Sequence, residues 1–412
     1  MHILFGRTIP MKYKLLILPS WYPSKHSPLN GIFVQDQVRA LCSQFDVAVL
    51  FPELIHIRNY VKGVTPKASM GVEKGALVIR DYGFAFPRYL KQWYRTLSDL
   101  TLKNYHVLLG QWGKPDLIHA HLVLPGGWLA NRLKARCGVP FVLTEHSSPF
   151  EMHLGSRTKQ RMVRETLQGC NKVIAVSPSL QAEMKDWVNK ERVEVVGNVI
   201  RTDFFTLPAP LPQHRRGPKE IFFVGIMRKQ KGLSNLLRAC KRLLDSGESN
   251  FILYLGGDGE LRSKLESESE TLRLGDHCAF LGALDREAVR FWMQRCDFFV
   301  LPSIHESFGI VVGEAMACGK PVIATRCGGP EFIVTSETGA LVQPNNSQEL
   351  MEAMRLFLNQ PNRYCPNVIR DSVKSRFGEE VFINKMAKIY GEVLEDDQLS
   401  SGEPLSSDSG SL

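Results

Sequence analysis

The stretch that most constrains the fold is residues 301–331, LPSIHESFGIVVGEAMACGKPVIATRCGGPE. The apolar run Phe298 to Leu301 reads as a buried strand and feeds a polar loop carrying His305, Glu306 and Ser307. Gly309 opens a short helix that holds Glu314, Gly319 closes it, and residues 321–324 read as a second buried strand. A strand, loop, helix, strand unit of this length is a parallel crossover. It places the loop and the helix N-terminus at the carboxyl edge of a sheet, where ligands of open α/β sheets bind. Helix N-termini also favour anions through unbonded N–H groups and the helix dipole. Two carboxylates eight positions apart at such an edge are therefore a candidate binding pair.

The same alternation runs through the rest of the chain. In the first half, residues 13–19, 46–51, 76–80, 116–120, 139–144, 172–176 and 192–196 read as short apolar strands. Helices are expected over about 32–43, 89–109 and 157–167, after Pro125-Gly126-Gly127, and from Ser177-Pro178. Residues 52–75 carry little pattern. In the second half, strands at 220–224, 251–255 and 278–281 alternate with helices at about 232–244, 260–268, 286–294 and 348–358. A chain of 412 residues is too long for one core. The expected fold class is α/β, with two Rossmann-like parallel-sheet domains facing across a cleft. The expected division is a first domain over 1–202, a Pro-rich linker over 203–218 and a second domain over 219–375. A C-terminal helix over 376–395 crosses back to the first domain, and a polar, acidic, Ser-rich disordered tail fills 396–412.

Composition narrows the function classes. No run approaches the ~18 apolar residues of a spanning helix, and MHILFGRTIP reads poorly as a signal peptide whether or not it is a true start. Nine scattered cysteines, none spaced Cys-x-x-Cys, read as buried free thiols in a reducing cytosol. The formal charge of +9 points to an anionic partner, and no nucleic-acid module accompanies it. Residues 80–95 interleave basic residues with Trp and Tyr. That pattern suits an anionic lipid surface at the inner face of the plasma membrane, although such a helix more often docks on its own domain.

The second half opens with FFVGIMRKQKGLSNLL (222–237), a strand ending at Gly225, a basic loop and a helix after Gly232. Arg228, Lys229 and Lys231 so sit beside a helix N-terminus, which suits a diphosphate, although most basic turns are merely solvated. LGGDGE (255–260) reads as a tight turn near the ligand. Lys231-Gly232, LGGDGELR, PSIHESFGIVVGEAMACGKPVIAT and CGGPE together resemble the retaining glycosyltransferases of family 4, which have the two-Rossmann GT-B fold.

The resemblance implies a hexosyltransferase that moves a sugar from a nucleotide-diphosphate sugar to an acceptor hydroxyl, on a glycan or lipid-linked glycan in polysaccharide biosynthesis. It implies that Glu314 binds the ribose hydroxyls and Glu306 lies beside the donor sugar. Ser307, Phe308 and Gly309 would bind through their N–H groups, and Lys231 would neutralise the diphosphate in place of a metal. No Asp-x-Asp motif occurs, and no cofactor is expected. The family's arginine after the glycine at Gly225 is Ile226 here, with Arg228 as a substitute cation. In the first half the resemblance matches Asn30-Gly31 to a phosphate-side glycine loop. It matches His121 of HAHLVLPGG to the donor sugar, and TEHSS adds His146 and Ser147. His119 reads as packing inward. A lone histidine at a strand end is more often structural, but two such ends in adjacent units favour a site. The alternatives are a related phosphorylase or epimerase and a non-catalytic basic scaffold.

Overall fold

Strands buried on both faces must be apolar throughout, and the first half supplies them. The strands of this half are β1 (Lys14–Pro19), β2 (Asp46–His56), β3 (Ser69–Glu73), β4 (Ala76–Ala85), β5 (Leu117–His121), β6 (Phe141–Glu145), β7 (Lys172–Ala175) and β8 (Val193–Val195), of which only the edge strands β3 and β8 are largely polar or exposed. They join in the order β3-β4-β2-β1-β5-β6-β7-β8, parallel except for the β3–β4 pair. The computed structural model describes residues 13–24, 27–56, 67–85, 90–209 and 217–401. The expectations for the N-terminal start, for residues 57–66 of the patternless stretch, for 86–89, for 210–216 of the linker and for 402–412 of the tail lie outside them.

The second half builds a six-stranded, all-parallel sheet from β9 (Lys219–Val224), β10 (Phe251–Gly256), β11 (Cys278–Gly282), β12 (Phe298–Leu301), β13 (Val322–Thr325) and β14 (Gly339–Val342). Their order is β11-β10-β9-β12-β13-β14. Phe222, Phe223, Phe251 and Phe299 are fully buried, each worth about 1.5–3 kcal/mol of apolar transfer. In both sheets the chain winds outward one way and then returns to start again beside its first strand. The reversal falls between β1 and β5 in one sheet and between β9 and β12 in the other. Crevices form at the carboxyl ends of strands at such points. The loops after β1, β5, β9 and β12 therefore border these crevices.

Several boundaries differ from the sequence expectation. The chain groups into one unit of Met1–Ala175, Gln181–Val196 and Ile383–Leu412 and another of Val176–Leu180 and Gly197–Phe382. The change falls at Gly197 rather than after residue 202 because the following turn packs into the second unit. Ile200 N–H donates to Phe377 O at 2.8 Å, and Arg370 donates to the carbonyls of Thr202 and Phe205 at 2.7 and 2.8 Å. Phe205 is buried, so the expected linker is anchored in the second unit near its start.

The C-terminal region divides at Gly378 into helices Pro366–Phe377 and Glu379–Ser401. The tail expected to be disordered from Asp396 is helical as far as Ser401. Asp396 and Gln398 lie exposed on the helix, and no Gly or Pro interrupts the run before Gly402 and Pro404. Among the patternless residues, β2 extends to His56 and β3 forms an antiparallel edge strand. Pro52 is tolerated in β2 because β1 pairs with it only through Val49, leaving the later residues bonded to β4 alone.

Candidate active site

The loop after β9 and the loop after β12 are tied together by their backbones, since Ile304 N–H donates to Gln230 O at 2.7 Å. That tie brings Lys231 against Glu306, with Nζ 2.6 Å from Oε1. Ser303 Oγ donates to the same oxygen at 2.7 Å. The Glu306 backbone is fixed from the other side by the CGGPE turn: its N–H donates to Cys327 O at 3.2 Å, and Gly329 N–H donates to its carbonyl at 2.8 Å. The ion pair is partly covered, with side-chain exposures of 25% for Lys231 and 13% for Glu306. Burial pushes the neighbouring Cys327 thiol up to about 12, so it stays protonated and is no nucleophile.

Gly309 caps the helix Ile310–Ala317. The N–H groups of Ser307, Phe308 and Gly309 donate no hydrogen bond among the described residues, which leaves the anion-favouring end of the helix available. The Phe308 side chain turns inward, its ring 5.3 Å from that of Phe377. Only its backbone can face a ligand.

Glu314, one turn into this helix, is 7% exposed, and its Oε1 accepts from Arg286 Nη2 at 3.3 Å. Arg286 in turn stacks over Phe205 and Phe204, 5.3 and 5.6 Å from the ring centroids. Sequence reading missed both Arg286 and Ser303. One arginine at a helix start and one serine in a loop look like ordinary polar surface, and only the fold shows them touching the two glutamates. Arg228 is exposed and pairs with neither glutamate among the described residues. Ile226, where the resemblance leads one to expect arginine, is 54% exposed.

In the first unit the ends of β5 and β6 bring His119, His121, His146 and Ser147 together. The histidine rings of 119 and 121 lie 4.2 Å apart on one side of β5, as residues two apart in a strand must. Both are fully buried. His121 Nδ1 and His146 Nε2 share a hydrogen bond of 3.0 Å, and His119 bonds Thr144 Oγ1 and Tyr390 OH, each at 2.7 Å. Burial, followed by the neighbouring histidines, holds His121 well below the usual imidazole value and His119 at about 3. Both rings are therefore neutral at pH 7. His121 Nε2 and Ser147 Oγ are buried and carry no partner among the described residues.

Gly31 caps the helix Ile32–Leu41 at φ +72°. Phe33, two residues on, contacts His146 at 4.7 Å between ring centroids, so this helix start belongs to the same sheet edge. A Cβ on Gly31 would lie 2.3 Å from the Trp21 carbonyl. The glycine is thus required by the chain's own backbone, before any ligand is considered. Of the basic 80–95 stretch, Arg80 is internal: it pairs with Glu73, donates to Pro23 O at 2.9 Å and lies over the Tyr22 ring.

Two doubly wound parallel sheets, each with polar loops gathered at its reversal point, define the GT-B class of fold. Residues 211–370 match the family described as glycosyl transferases group 1, and residues 31–204 match glycosyltransferase family 4. An uncharacterized glycosyltransferase of Methanocaldococcus jannaschii is 30% identical over 68% of this chain and 76% of its own length. The putative teichuronic acid biosynthesis glycosyltransferase TuaC of Bacillus subtilis is 28% identical over 83% of this chain and 88% of its own. The chain belongs to the group 1 glycosyltransferases of family 4 type. Among solved structures, sucrose-phosphate synthase of Thermosynechococcus elongatus shares the fold with a TM-score of 0.74 at 22% identity, over 94% of this chain and all of that one. Anabaena HepE, solved with UDP and glucose, gives 0.70 at 19% identity, over 93% of this chain and all of that one.

Proposed function

We propose that this enzyme is a retaining hexosyltransferase that moves a sugar from a nucleotide-diphosphate sugar to an acceptor hydroxyl of a glycan or lipid-linked glycan. The carrying observation is the Lys231–Glu306 pair beside three N–H groups that donate no hydrogen bond among the described residues, at the carboxyl edge of β12. A departing diphosphate gains negative charge as the bond from its oxygen to the sugar C1 breaks. Preorganised cations and N–H donors aimed at that charge lower the barrier. An ammonium has three N–H donors, so Lys231 can hold Glu306 and a phosphate oxygen together. In this reading the diphosphate oxygen takes the proton of the incoming hydroxyl on the same face, which keeps the anomeric configuration, and Lys231 with the amides supplies the charge that a metal would otherwise bring.

Glu314 accepts the ribose hydroxyls, its orientation held by Arg286. Glu306 faces the developing positive charge on the sugar, and neutral His121 offers its unpartnered Nε2 to a sugar hydroxyl. Relatives support the substrate class: HepE and starch synthase IV were solved with UDP and ADP, and TuaC is named for teichuronic acid biosynthesis. Glu314→Ala should weaken binding of the free nucleoside diphosphate by about 1.5–3 kcal/mol in a calorimetric titration, the range for a hydrogen bond to a charged group. Unchanged affinity would remove the ribose assignment.

The lipid-linked acceptor is supported by the helix Leu90–Gln111, where Lys91 and Arg95 are exposed. Among the described residues no helix is long and apolar enough to cross a membrane; the contact proposed is with the lipid surface. The protein should co-sediment with phosphatidylserine vesicles at low salt and release at high salt, as screened charges do. No affinity at low salt would confine the acceptor to water-soluble glycans.

A further inference from the structure

One buried charge in the first unit has no part in the chemistry proposed above. Glu145, the last residue of β6, is fully buried. Its Oε2 accepts from Val123 N–H at 2.8 Å, and its Oε1 accepts from the N–H groups of His146 and Ser147 at 2.9 and 2.8 Å. His153 Nε2 stands 3.5 Å from Oε1. Burial alone would raise this carboxyl, but His153 and the amides outweigh it and hold the group below its ordinary range. A carboxylate with these donors is a satisfied buried charge, and removing it would strand three N–H groups.

The identity of the donors is what matters. Val123 follows His121 by two residues on the turn after β5, while His146 and Ser147 form the turn after β6. One carboxylate therefore holds both turns. The link runs across a strained point, since Leu122, between His121 and Val123, has φ +70°. For a branched residue this conformation persists only where the surroundings over-determine it. Here Leu122 N–H donates to Thr144 O at 2.8 Å on one side and Glu145 grips Val123 on the other. The His121–His146 hydrogen bond closes the loop of constraints.

We propose that Glu145 is a positioning residue: by holding the Val123, His146 and Ser147 amides it sets the His121–His146 pair so that His121 Nε2 stays free for the transferred sugar. This rests on the reading of His121 given under the proposed function. Glutamine in its place keeps the size but turns an NH2 group toward one set of amides, so one turn is released. Misplacements on the 1 Å scale cost up to about 100-fold in rate.

The test uses the full chain, with Glu145→Gln, Glu145→Asp and His121→Ala compared by steady-state kinetics on the nucleotide-sugar. Histidine ring nitrogens are followed by NMR. Glu145→Gln should fold, lower kcat about 10- to 100-fold with donor KM within about twofold, and shift the His121 and His146 ring resonances. Glu145→Asp, which keeps the charge but draws the oxygens back by a methylene, should also lose kcat and serves if the glutamine variant does not fold. A lower melting temperature with kcat per folded molecule and ring resonances unchanged would mean a purely structural anchor and overturn the proposal. If His121→Ala loses turnover while the folded Glu145 variants do not, this inference alone fails. If His121→Ala turns over normally, the His121 reading fails and carries this one with it.

Discussion

Replacing Lys231 with Met should lower kcat/KM for the nucleotide-sugar by about 100- to 1,000-fold, the cost of removing one preorganised charge from a transition state. Two losses combine. The leaving diphosphate loses its cation, and Glu306 keeps only Ser303 Oγ on its Oε1 in a site that is 13% exposed for its side chain. The second loss also appears without substrate. A carboxylate left unpaired in a partly wet site costs about 1–2 kcal/mol after screening, or a few degrees of melting temperature for a unit of this size. Steady-state kinetics with a parallel thermal melt would separate the two. A kcat/KM within about fivefold of the parent would remove Lys231 from the chemistry.

Gly232→Ala should destabilise the second unit by about 3 kcal/mol or more. Gly232 sits at φ +63°, and an added Cβ would lie 2.0 Å from the Pro302 carbonyl oxygen. The left-handed backbone alone costs an alanine about 1–2 kcal/mol. The contact is with backbone, which cannot turn aside as a side-chain tip can, so β12 and the loop after β9 must part. That separation also breaks the Ile304–Gln230 tie that brings Lys231 to Glu306. The expected melting shift is about 6–12 °C, with activity reduced even well below the transition. An unchanged melt would show that the close approach of these loops is not needed.

The alternation of buried apolar runs with amphipathic helices was readable from sequence because it repeats and each unit confirms the next. The 301–331 stretch was readable for a different reason: its glycines, carboxylates and strands all point to one geometry. The elements that escaped were those whose cause is tertiary. β14 (GALV) and the helix Pro366–Phe377 are short or weakly patterned and are held by the neighbours they pack on. β3 is exposed along nearly its whole length and exists through its pairing with β4.

At the site, Glu306, Glu314 and Lys231 stood out by context, but their partners did not. Arg286 and Ser303 are common residues made specific by what they touch. Glu145 lay inside the TEHSS stretch singled out for His146 and Ser147, yet nothing in a sequence distinguishes a carboxylate that gathers buried amides from one on the surface. Gly31 taught the converse. The resemblance sets it close to a phosphate, yet its own chain supplies a sufficient reason for glycine there.

Metal-independent transfer with retention is tested by following one reaction by proton NMR in the presence of EDTA. The enzyme is given nucleotide-diphosphate sugars of known anomeric configuration together with a glycan acceptor pool. Net formation of a new glycosidic bond with the donor's configuration, one nucleoside diphosphate released per bond, and loss of both with Lys231→Met is the predicted result. An inverted anomer, phosphorolysis or epimerisation without transfer, or strict dependence on added Mn²⁺ or Mg²⁺ would contradict it.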